Sequence, residues 1–366
     1  STPSNSSAAS DVYKRQVSTQ GLYALQKRPG SVINSVDISH ISSKLNNIFS
    51  EIVKDKSGNL WIAAFNEGLS MIDLNRPLIQ NYSFPSIREK TGFVTNIKNI
   101  YEDKDGDLWI DQNRWGVGIF IPKSNKLLFC TDIPSLKNIN NLKNISCITS
   151  VSSIDEIWLG SEYYSEICRL KKNKDRIEFL GTLKLSDFVE NPGFPRFFYE
   201  DSKHNLWVVT TKKILVKPAD EKQLQDTNFP LMDITGIKEG KDGTLWISTR
   251  KQGVYNVIVS PGLTFEEKKI RNLTAQTDGL INDNIGAICV DDSGLVWMGS
   301  QEGDVFTYDP QTKKVENLSN MFDMLEEGIY NIIMDQLGHI WISTNKRVVE
   351  YDPKNGGIMD YSTMGD

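Results

Sequence analysis

Short apolar segments alternate along most of this chain with polar turns rich in Asp, Asn, Ser and Gly. The stretch 285–310, IGAICVDDSGLVWMGSQEGDVFTYDP, shows the pattern most clearly. Its apolar segments lie at 285–290, 295–298 and 305–308, and between them stand DDSG and GSQEG. Gly readily takes positive φ and Asp bonds its own backbone, so both residues favour tight turns. The pattern therefore predicts three antiparallel strands in a β-meander.

The same pattern recurs along the chain, and each copy carries a tryptophan in its second strand. A fourth strand is predicted after the third, for example at 126–130, 176–180, 268–272 and 314–318. Successive tryptophans lie between 39 and 51 residues apart, close to the spacing of about 40–50 residues typical of a propeller blade. The register consists of Trp61, Trp109, Trp158, Trp207, Trp246, Trp297 and Trp341.

One four-stranded sheet with apolar residues on both faces cannot bury them alone, so several sheets must stack. The repeats predict an all-β fold, a seven-bladed β-propeller of four-stranded antiparallel blades spanning 45–366. Each register tryptophan is expected to wedge between neighbouring blades as a structural anchor. Residues 1–16 are predicted to be a disordered or non-native leader. Residues 17–44 are predicted to form a partial blade, either the end of a preceding propeller or strands that help to close the ring.

Composition limits the classes of function. The 366 residues carry a net charge of −6, which provides no basic field for nucleic acid or an anionic membrane surface. No apolar run reaches the length of a membrane-spanning helix, and no signal peptide is recognisable at the N-terminus. The four cysteines show no metal-ligand spacing. We therefore expect no metal, no cofactor and no membrane contact by this segment.

The repeats resemble those of a known family. The template D-x-x-G-x-[LIV]-W-[IM]-[GS]-[ST]-x-x-G-[LV], preceded by DGLINDNI at 278–285, is similar to the two-component-regulator propeller repeat. In that family such repeats form the extracytoplasmic sensory region of bacterial hybrid sensor kinases, usually as two seven-bladed propellers before a β-sandwich, a membrane helix and a kinase. The resemblance implies a periplasmic, non-catalytic sensor module, with kinase activity in domains that this sequence does not contain.

The loops between the second and third strands differ from repeat to repeat, and specificity on a rigid scaffold usually lies in such loops. Aromatic side chains there could stack on sugar rings, while charged side chains could bind hydroxyl or carboxylate groups. We therefore predict a site for an oligosaccharide or another small ligand. Its candidate residues are Arg114, Trp115, Tyr163, Tyr164, Arg250, Lys251, Gln301, Glu302 and Arg347.

Two other classes of function stay open. The first is a propeller-fold lyase or glycoside hydrolase, although no pair of carboxylates breaks the repeat as an acid–base pair would, and the three histidines form no triad. The second is a protein-interaction scaffold. A second propeller and a homodimer partner are further expected partners of the sensor.

Overall fold

The computed structural model describes the pairing of short N-terminal strands and almost all of the chain after residue 96. Between residues 22 and 82, the side chains it describes are those of Val53, Asp55 and Trp61. The described residues are 22–23, 36–37, 49–55, 60–64, 68–73, 78–82, 97–112, 116–173, 176–230, 233–324 and 326–361. The predicted leader, 1–16, lies outside them.

Every sheet is antiparallel, and neighbouring strands in a sheet are neighbours in sequence. Two short strands, β1 (Leu22–Tyr23) and β2 (Val36–Asp37), pair within the predicted partial blade. The first four-stranded sheet contains β3 (Phe49–Lys54), β4 (Leu60–Ala64), β5 (Gly68–Asp73) and β6 (Leu78–Tyr82).

Six further four-stranded meanders follow, which we number as blades 1 to 6. Blade 1 contains β7 (Ile97–Glu102), β8 (Leu108–Gln112), β9 (Gly116–Ile121) and β10 (Lys126–Phe129). Blade 2 contains β11 (Ile145–Val151), β12 (Glu156–Ser161), β13 (Glu166–Asn173) and β14 (Arg176–Lys184). Blade 3 contains β15 (Pro195–Glu200), β16 (Leu206–Thr210), β17 (Ile214–Lys217) and β18 (Gln225–Asp226).

The remaining blades repeat the same order. Blade 4 contains β19 (Ile234–Glu239), β20 (Leu245–Thr249), β21 (Val254–Val257) and β22 (Ile270–Leu273). Blade 5 contains β23 (Ile285–Val290), β24 (Val296–Ser300), β25 (Val305–Asp309) and β26 (Lys314–Asn317). Blade 6 contains β27 (Ile329–Met334), β28 (Ile340–Thr344), β29 (Val348–Asp352) and β30 (Gly357–Asp360).

Helices are short and lie in the connections. Two α-helical turns, α1 (Ala275–Asp278) and α2 (Ser319–Phe322), follow the outer strands of blades 4 and 5. The 3₁₀ turns among the described residues are Pro122–Ser124, Cys130–Asp132, Asn140–Lys143, Leu185–Asp187 and Glu267–Lys269. No helix in the described part of the chain has the length and apolar character required to span a bilayer.

The predicted count of seven blades is corrected to six. A blade requires packed side chains on its faces as well as paired strands, and both are described for blades 1 to 6. The copy at 48–73 pairs its strands as the sheet β3–β6, but most of its side chains lie outside the described residues. The tryptophan register counts hairpins, which form by local pairing, so seven tryptophans do not by themselves establish seven packed blades.

The cores lie between adjacent sheets, and the register tryptophans fill them. Trp109 packs with Leu159 and Leu170 of blade 2, and Trp158 packs with Val208 of blade 3. Later blades repeat this arrangement, as do the first sheet and blade 1, where Trp61 meets Phe120 edge to face. All seven tryptophans are buried, with at most 3% of their surface exposed. Apolar burial and aromatic contact between blades thus hold the fold together.

A carboxylate locks most of the tryptophans to the turn that precedes them. In blade 5, Asp291 Oδ2 accepts the indole N–H of Trp297 at 2.8 Å, while Oδ1 accepts the backbone N–H groups of Ser293 and Leu295. Gly294 supports the turn with φ of 92°. One side chain therefore fixes both the hairpin and the anchor, which we call the Asp–Trp lock. It recurs at Asp55–Trp61, Asp103–Trp109, Asp201–Trp207 and Asp335–Trp341.

Two blades depart from the Asp–Trp lock. In blade 2, Glu156 accepts the indole N–H of Trp158 and also binds Arg169. In blade 4, Gly240 stands in the place of the aspartate, and the backbone turn from Gly240 to Thr244 still closes. Asp242 Oδ1, within the turn, accepts the backbone N–H and the hydroxyl of Thr244 there. The turn can therefore form without the aspartate of the lock.

A second contact between blades depends on a buried lysine. Lys172 at the end of β13 donates to Asp103 and Asp107 at 2.6 Å, in the turn of blade 1. Burial opposes its charge, but these bonds hold the pKa of Lys172 above its ordinary value. Lys217, at the end of β17, is also buried but binds only the Ser153 hydroxyl and the Pro218 carbonyl. Burial lowers the pKa of Lys217.

We predict that Asp291→Ala will destabilise the protein by about 1–3 kcal/mol, because the buried indole N–H and the turn lose their acceptor. Asp292→Ala, an exposed carboxylate in the same turn, should change stability by less than about 0.5 kcal/mol. Urea unfolding followed by tryptophan fluorescence measures both. Equal effects of the two substitutions would contradict the Asp–Trp lock.

We predict opposite responses at the two buried lysines. Lys172→Met should cost about 3–5 kcal/mol, because the carboxylates around it lose their counter-charge. Lys217→Met should be nearly neutral or stabilising, because no carboxylate depends on it and its charge is unfavourably buried. Thermal unfolding of the two variants, measured side by side, checks the contrast. A larger loss at Lys217 than at Lys172 would refute it.

Candidate functional site

The loops that differ among the repeats share one face of the molecule. Because every blade is a sequential meander, the loop between its second and third strands lies at the same end as the connection to the next blade. We call this end the upper face. The lower face carries the Asp turns, which the blades hold in common, so differences in chemistry are concentrated on the upper face.

Polar side chains tie neighbouring blades together at the upper face. Ser146 donates to the carbonyl of Pro195, and Thr235 donates to that of Ile285, both at 2.7 Å. In blade 5 the amide of Gln301 does the same to Ile329 at 3.0 Å. Gln301, a predicted ligand residue, thus has a structural partner in blade 6.

Blade 1 makes this contact with charges instead. Lys98, which follows the first residue of β7, places its Nζ 3.0 Å from Oε1 of Glu162 in blade 2. Both side chains are about 30% exposed, so the ion pair stands at the surface where it can be opened. An exposed pair of this kind contributes little to stability.

A buried carboxylate lies at the same junction. Asp111, near the end of β8, is 1% exposed. Its Oδ2 accepts a long bond of 3.4 Å from Asn99, and its Oδ1 has no hydrogen-bond partner. Burial raises the pKa of Asp111 to about 7, against the opposing effects of the Lys98 charge and the Asn99 hydrogen bond, and the charge on Glu162 adds to the rise. The group can therefore exchange a proton near neutral pH.

Exposed aromatic residues lie next to Glu162 in the sequence. Tyr163 and Tyr164 follow Glu162 directly, and each has 55% of its surface exposed. Phe194 and Arg196, at the start of β15 in blade 3, are exposed on the same face. The next blade lies very close, since a Cβ added at Gly160 would lie 2.7 Å from Pro195. We call Lys98, Asn99, Asp111, Glu162, Tyr163 and Tyr164 the upper-face cluster.

The remaining predicted residues are distributed over other loops of the upper face. Arg114 and Trp115 lie in the loop after β8, outside the described residues, so their role stays a prediction. Arg250 forms an exposed ion pair with Asp233 at 3.7 Å, and Lys251 is exposed. Glu302 accepts a bond from Asn284 at 2.8 Å. Tyr163 and Tyr164 therefore join the cluster, whereas Arg250, Lys251 and Glu302 lie in blades 4 and 5.

Arg347 is committed to contacts within the protein. Its guanidinium forms a two-pronged ion pair with Glu327, binds Asp360 at 2.8 Å and donates to the Asp323 carbonyl. The hydrogen bonds to Glu327 raise the pKa of Arg347 further above its ordinary value. A ligand would have to break this network to reach it, so its geometry favours a structural role.

One group among the described residues has the composition of a metal site. Asp335, His339 and Glu350 place possible ligand atoms within 4.8 Å of one another. Asp335 already accepts the indole N–H of Trp341, and Glu350 binds both His339 and the Tyr361 hydroxyl. The hydrogen bond to Glu350 raises the pKa of His339. The group therefore serves as an ionic network on the lower face of blade 6.

One repeat of this chain matches a known family of propeller repeats. Residues 279–302, in blade 5, match the family model described as Two component regulator propeller. The chain carries the two-component-regulator propeller repeat. The resemblance predicted from the sequence is thereby confirmed. No curated protein sequence matches the chain.

Solved structures share the propeller fold. A streptogramin B lyase superimposes with a TM-score of 0.65 and 15% identity over 84% of this chain and 94% of the lyase. YCF48 from Cyanidioschyzon merolae gives a TM-score of 0.67 and 10% identity over 85% and 98%. The extracellular domain of a hybrid two component system from B. thetaiotaomicron gives 0.48 and 19%, covering 85% of this chain and 45% of that domain. At such identities the likeness shows the fold alone.

Asp111 was not among the residues predicted from the sequence, although comparison of the repeats within the chain distinguishes it. The second residue after each register tryptophan is small or apolar in every other copy. Asp111 is the charged exception in the set Ala63, Asp111, Gly160, Val209, Ser248, Gly299 and Ser343. Its importance depends on Lys98 and Glu162, and the latter belongs to the next repeat.

We predict that Asp111→Asn will change the pH dependence of stability. An unfolded Asp ionises near pH 3.8, whereas the buried group does so at about 7, so the wild-type fold loses stability as pH rises between these values. Between these pH values the free energy of unfolding of wild type should fall, relative to that of Asp111→Asn, by up to about 4 kcal/mol. Above pH 7 the difference between the two proteins should stay constant. Urea unfolding between pH 4 and pH 8 measures it. Ser343→Ala, a buried non-titrating control, should run parallel to wild type, and a parallel Asp111→Asn profile would contradict the prediction.

Proposed function

We propose that this chain is the ligand-sensing propeller of an extracytoplasmic two-component sensor and that it binds oligosaccharides on its upper face. The match of residues 279–302 to the two-component-regulator propeller repeat supports a sensor module. The proposal places the module outside the cytoplasm, as in the family that the repeats resemble. The residues of the upper-face cluster support an oligosaccharide as the ligand.

The observation that carries the proposal is the pairing of exposed aromatic rings with polar groups at the junction of blades 1 and 2. Tyr163 and Tyr164 offer half-exposed rings, which are amphipathic surfaces suited to the apolar faces of sugars. Lys98 and Glu162 next to them can donate to and accept from hydroxyl groups. Lys98 lies in β7, and the four-residue loop between β12 and β13 carries Glu162 and both tyrosines. A short loop on a rigid scaffold lowers the entropic cost of binding.

The ion pairing of Lys98 with Glu162 and the burial of Asp111 favour recognition over catalysis. Lys98 and Glu162 are joined as an ion pair, and Asp111 is buried behind the surface. The streptogramin B lyase shares the fold, so lyase chemistry is the second candidate. A lyase would convert the bound ligand to product, so the appearance of product during the binding measurements would distinguish it from a sensor.

Binding would transmit a signal by favouring one arrangement of the receptor over another, which requires different affinities for the two states. The proposed partners are a second propeller and a second copy of the receptor, linked to a kinase across the membrane. A ligand held between blades 1 and 2 would act on the contact between those blades.

We predict that at least one oligosaccharide in a panel of structurally varied oligosaccharides will raise the melting temperature of the protein. Tyr163→Ala and Tyr164→Ala should each weaken that affinity on the order of tenfold, because a stacking surface is lost. Leu337→Ala removes an exposed apolar residue from the lower face and should leave affinity unchanged. Calorimetric titration measures the constants. Absence of any stabilising glycan would contradict the proposal, and release of product from the glycan would establish the enzyme instead.

A further inference from the structure

Asp111 is a buried carboxylate with fewer hydrogen bonds than its burial calls for. Its Oδ1 is buried without a hydrogen-bond partner, and its Oδ2 has only the 3.4 Å contact with Asn99. Burying an incompletely bonded carboxylate opposes folding. A residue retained at such a cost commonly serves function.

The equivalent positions in other blades show that the strand accepts smaller residues here. Gly160 and Gly299 face the first strand of the next blade so closely that an added Cβ would clash with Pro195 or Ile329. Ser248 bonds its neighbour Thr235 at 2.9 Å. The position therefore lies in the junction between blades, and blade 1 alone places a carboxylate there among the repeats of this sequence.

Some of the residues around Asp111 are partly exposed to solvent. Lys98 and Asn99 approach from β7, and Glu162 approaches from the loop after β12. Lys98 and Glu162 are each about 30% exposed, and Tyr163 and Tyr164 follow them into solvent. Asp111 is therefore close to a partly exposed ion pair whose opening costs little free energy.

We propose that Asp111 is a specificity-determining residue of the upper-face site, and that its free Oδ1 accepts a hydrogen bond from a hydroxyl group of the ligand. The inference rests on the proposed function. The hydroxyl reaches Asp111 when Lys98 and Glu162 part, and the two charged groups then bind neighbouring hydroxyls. Ligands that lack a donor at this point leave the buried oxygen unpaired and bind more weakly.

Such a contact couples binding to a proton. A donor to Oδ1 favours the ionised carboxylate, so a ligand that binds at neutral pH displaces a proton from the fraction of Asp111 that carries one. Lys98, Asn99 and Glu162 face the same carboxyl group, and Glu162 gains freedom when its ion pair opens. The proton is therefore released to solvent on binding.

The test uses the neutral oligosaccharide from the panel that stabilises the protein most. Calorimetric titration at pH 7 in two buffers of different ionisation enthalpy measures both affinity and proton release. Asp111→Asn keeps the shape of the side chain and an oxygen that still accepts a hydrogen bond, so we expect it to abolish proton release while weakening binding only modestly. Asp111→Leu removes both oxygens at similar volume, and we expect it to weaken binding on the order of 10- to 100-fold. Ser343→Ala, at the same position of blade 6, should retain both.

The outcomes separate this inference from the proposed function. If the oligosaccharide binds wild type and Asp111→Leu equally, the role of Asp111 is wrong while sugar recognition stands. If Tyr163→Ala also leaves affinity unchanged, the placement of the site is wrong as well. If no oligosaccharide binds wild type, the proposed function fails and the inference falls with it.

Discussion

The structure depends on a carboxylate that closes a hairpin turn and accepts the indole N–H of a tryptophan six residues later. Where it is present, the contact orients the tryptophan, whose ring packs between its own sheet and the next in blades 1, 3 and 5. Burial of these rings and of the other apolar side chains between the sheets holds the blades together, since the described strands of different blades share no ladder. The turn of blade 4, which lacks this aspartate, still closes by backbone hydrogen bonds and by bonds from Thr244 to the Asp242 carboxylate.

A scaffold built from repeated contacts leaves its few irregular positions available for function. The lower face repeats the same turn chemistry, whereas the upper face differs from blade to blade. At the junction of blades 1 and 2, the usual hydroxyl tie is replaced by the Lys98–Glu162 pair, and a small strand residue is replaced by Asp111. Both departures occur within one junction. The cost of an incompletely bonded carboxylate is offset by the packing of the surrounding blades.

The sequence predicted the local structure well because that structure is set by local pattern. The strand predicted at 285–290 is β23, and 295–298 corresponds to Val296–Ser300 within a residue or two. The number of packed blades was wrong, because packing involves distant residues. Arg347 looked available in the sequence, but its partners Glu327 and Asp360 lie 20 and 13 residues away. Asp111 was missed for the same reason, since its environment includes the next repeat.

Hydrogen–deuterium exchange with and without a stabilising oligosaccharide tests the central claim most directly, because it reports on both faces at once. Bound ligand should slow exchange at the upper ends of blades 1 and 2, around 97–99, 111–112 and 160–166, and leave the Asp turns of the lower face, including 103–107 of blade 1, unchanged. Slowed exchange centred on the lower-face turns, such as 291–295 and 335–339, would contradict the assignment of function to the junction where the repeats differ.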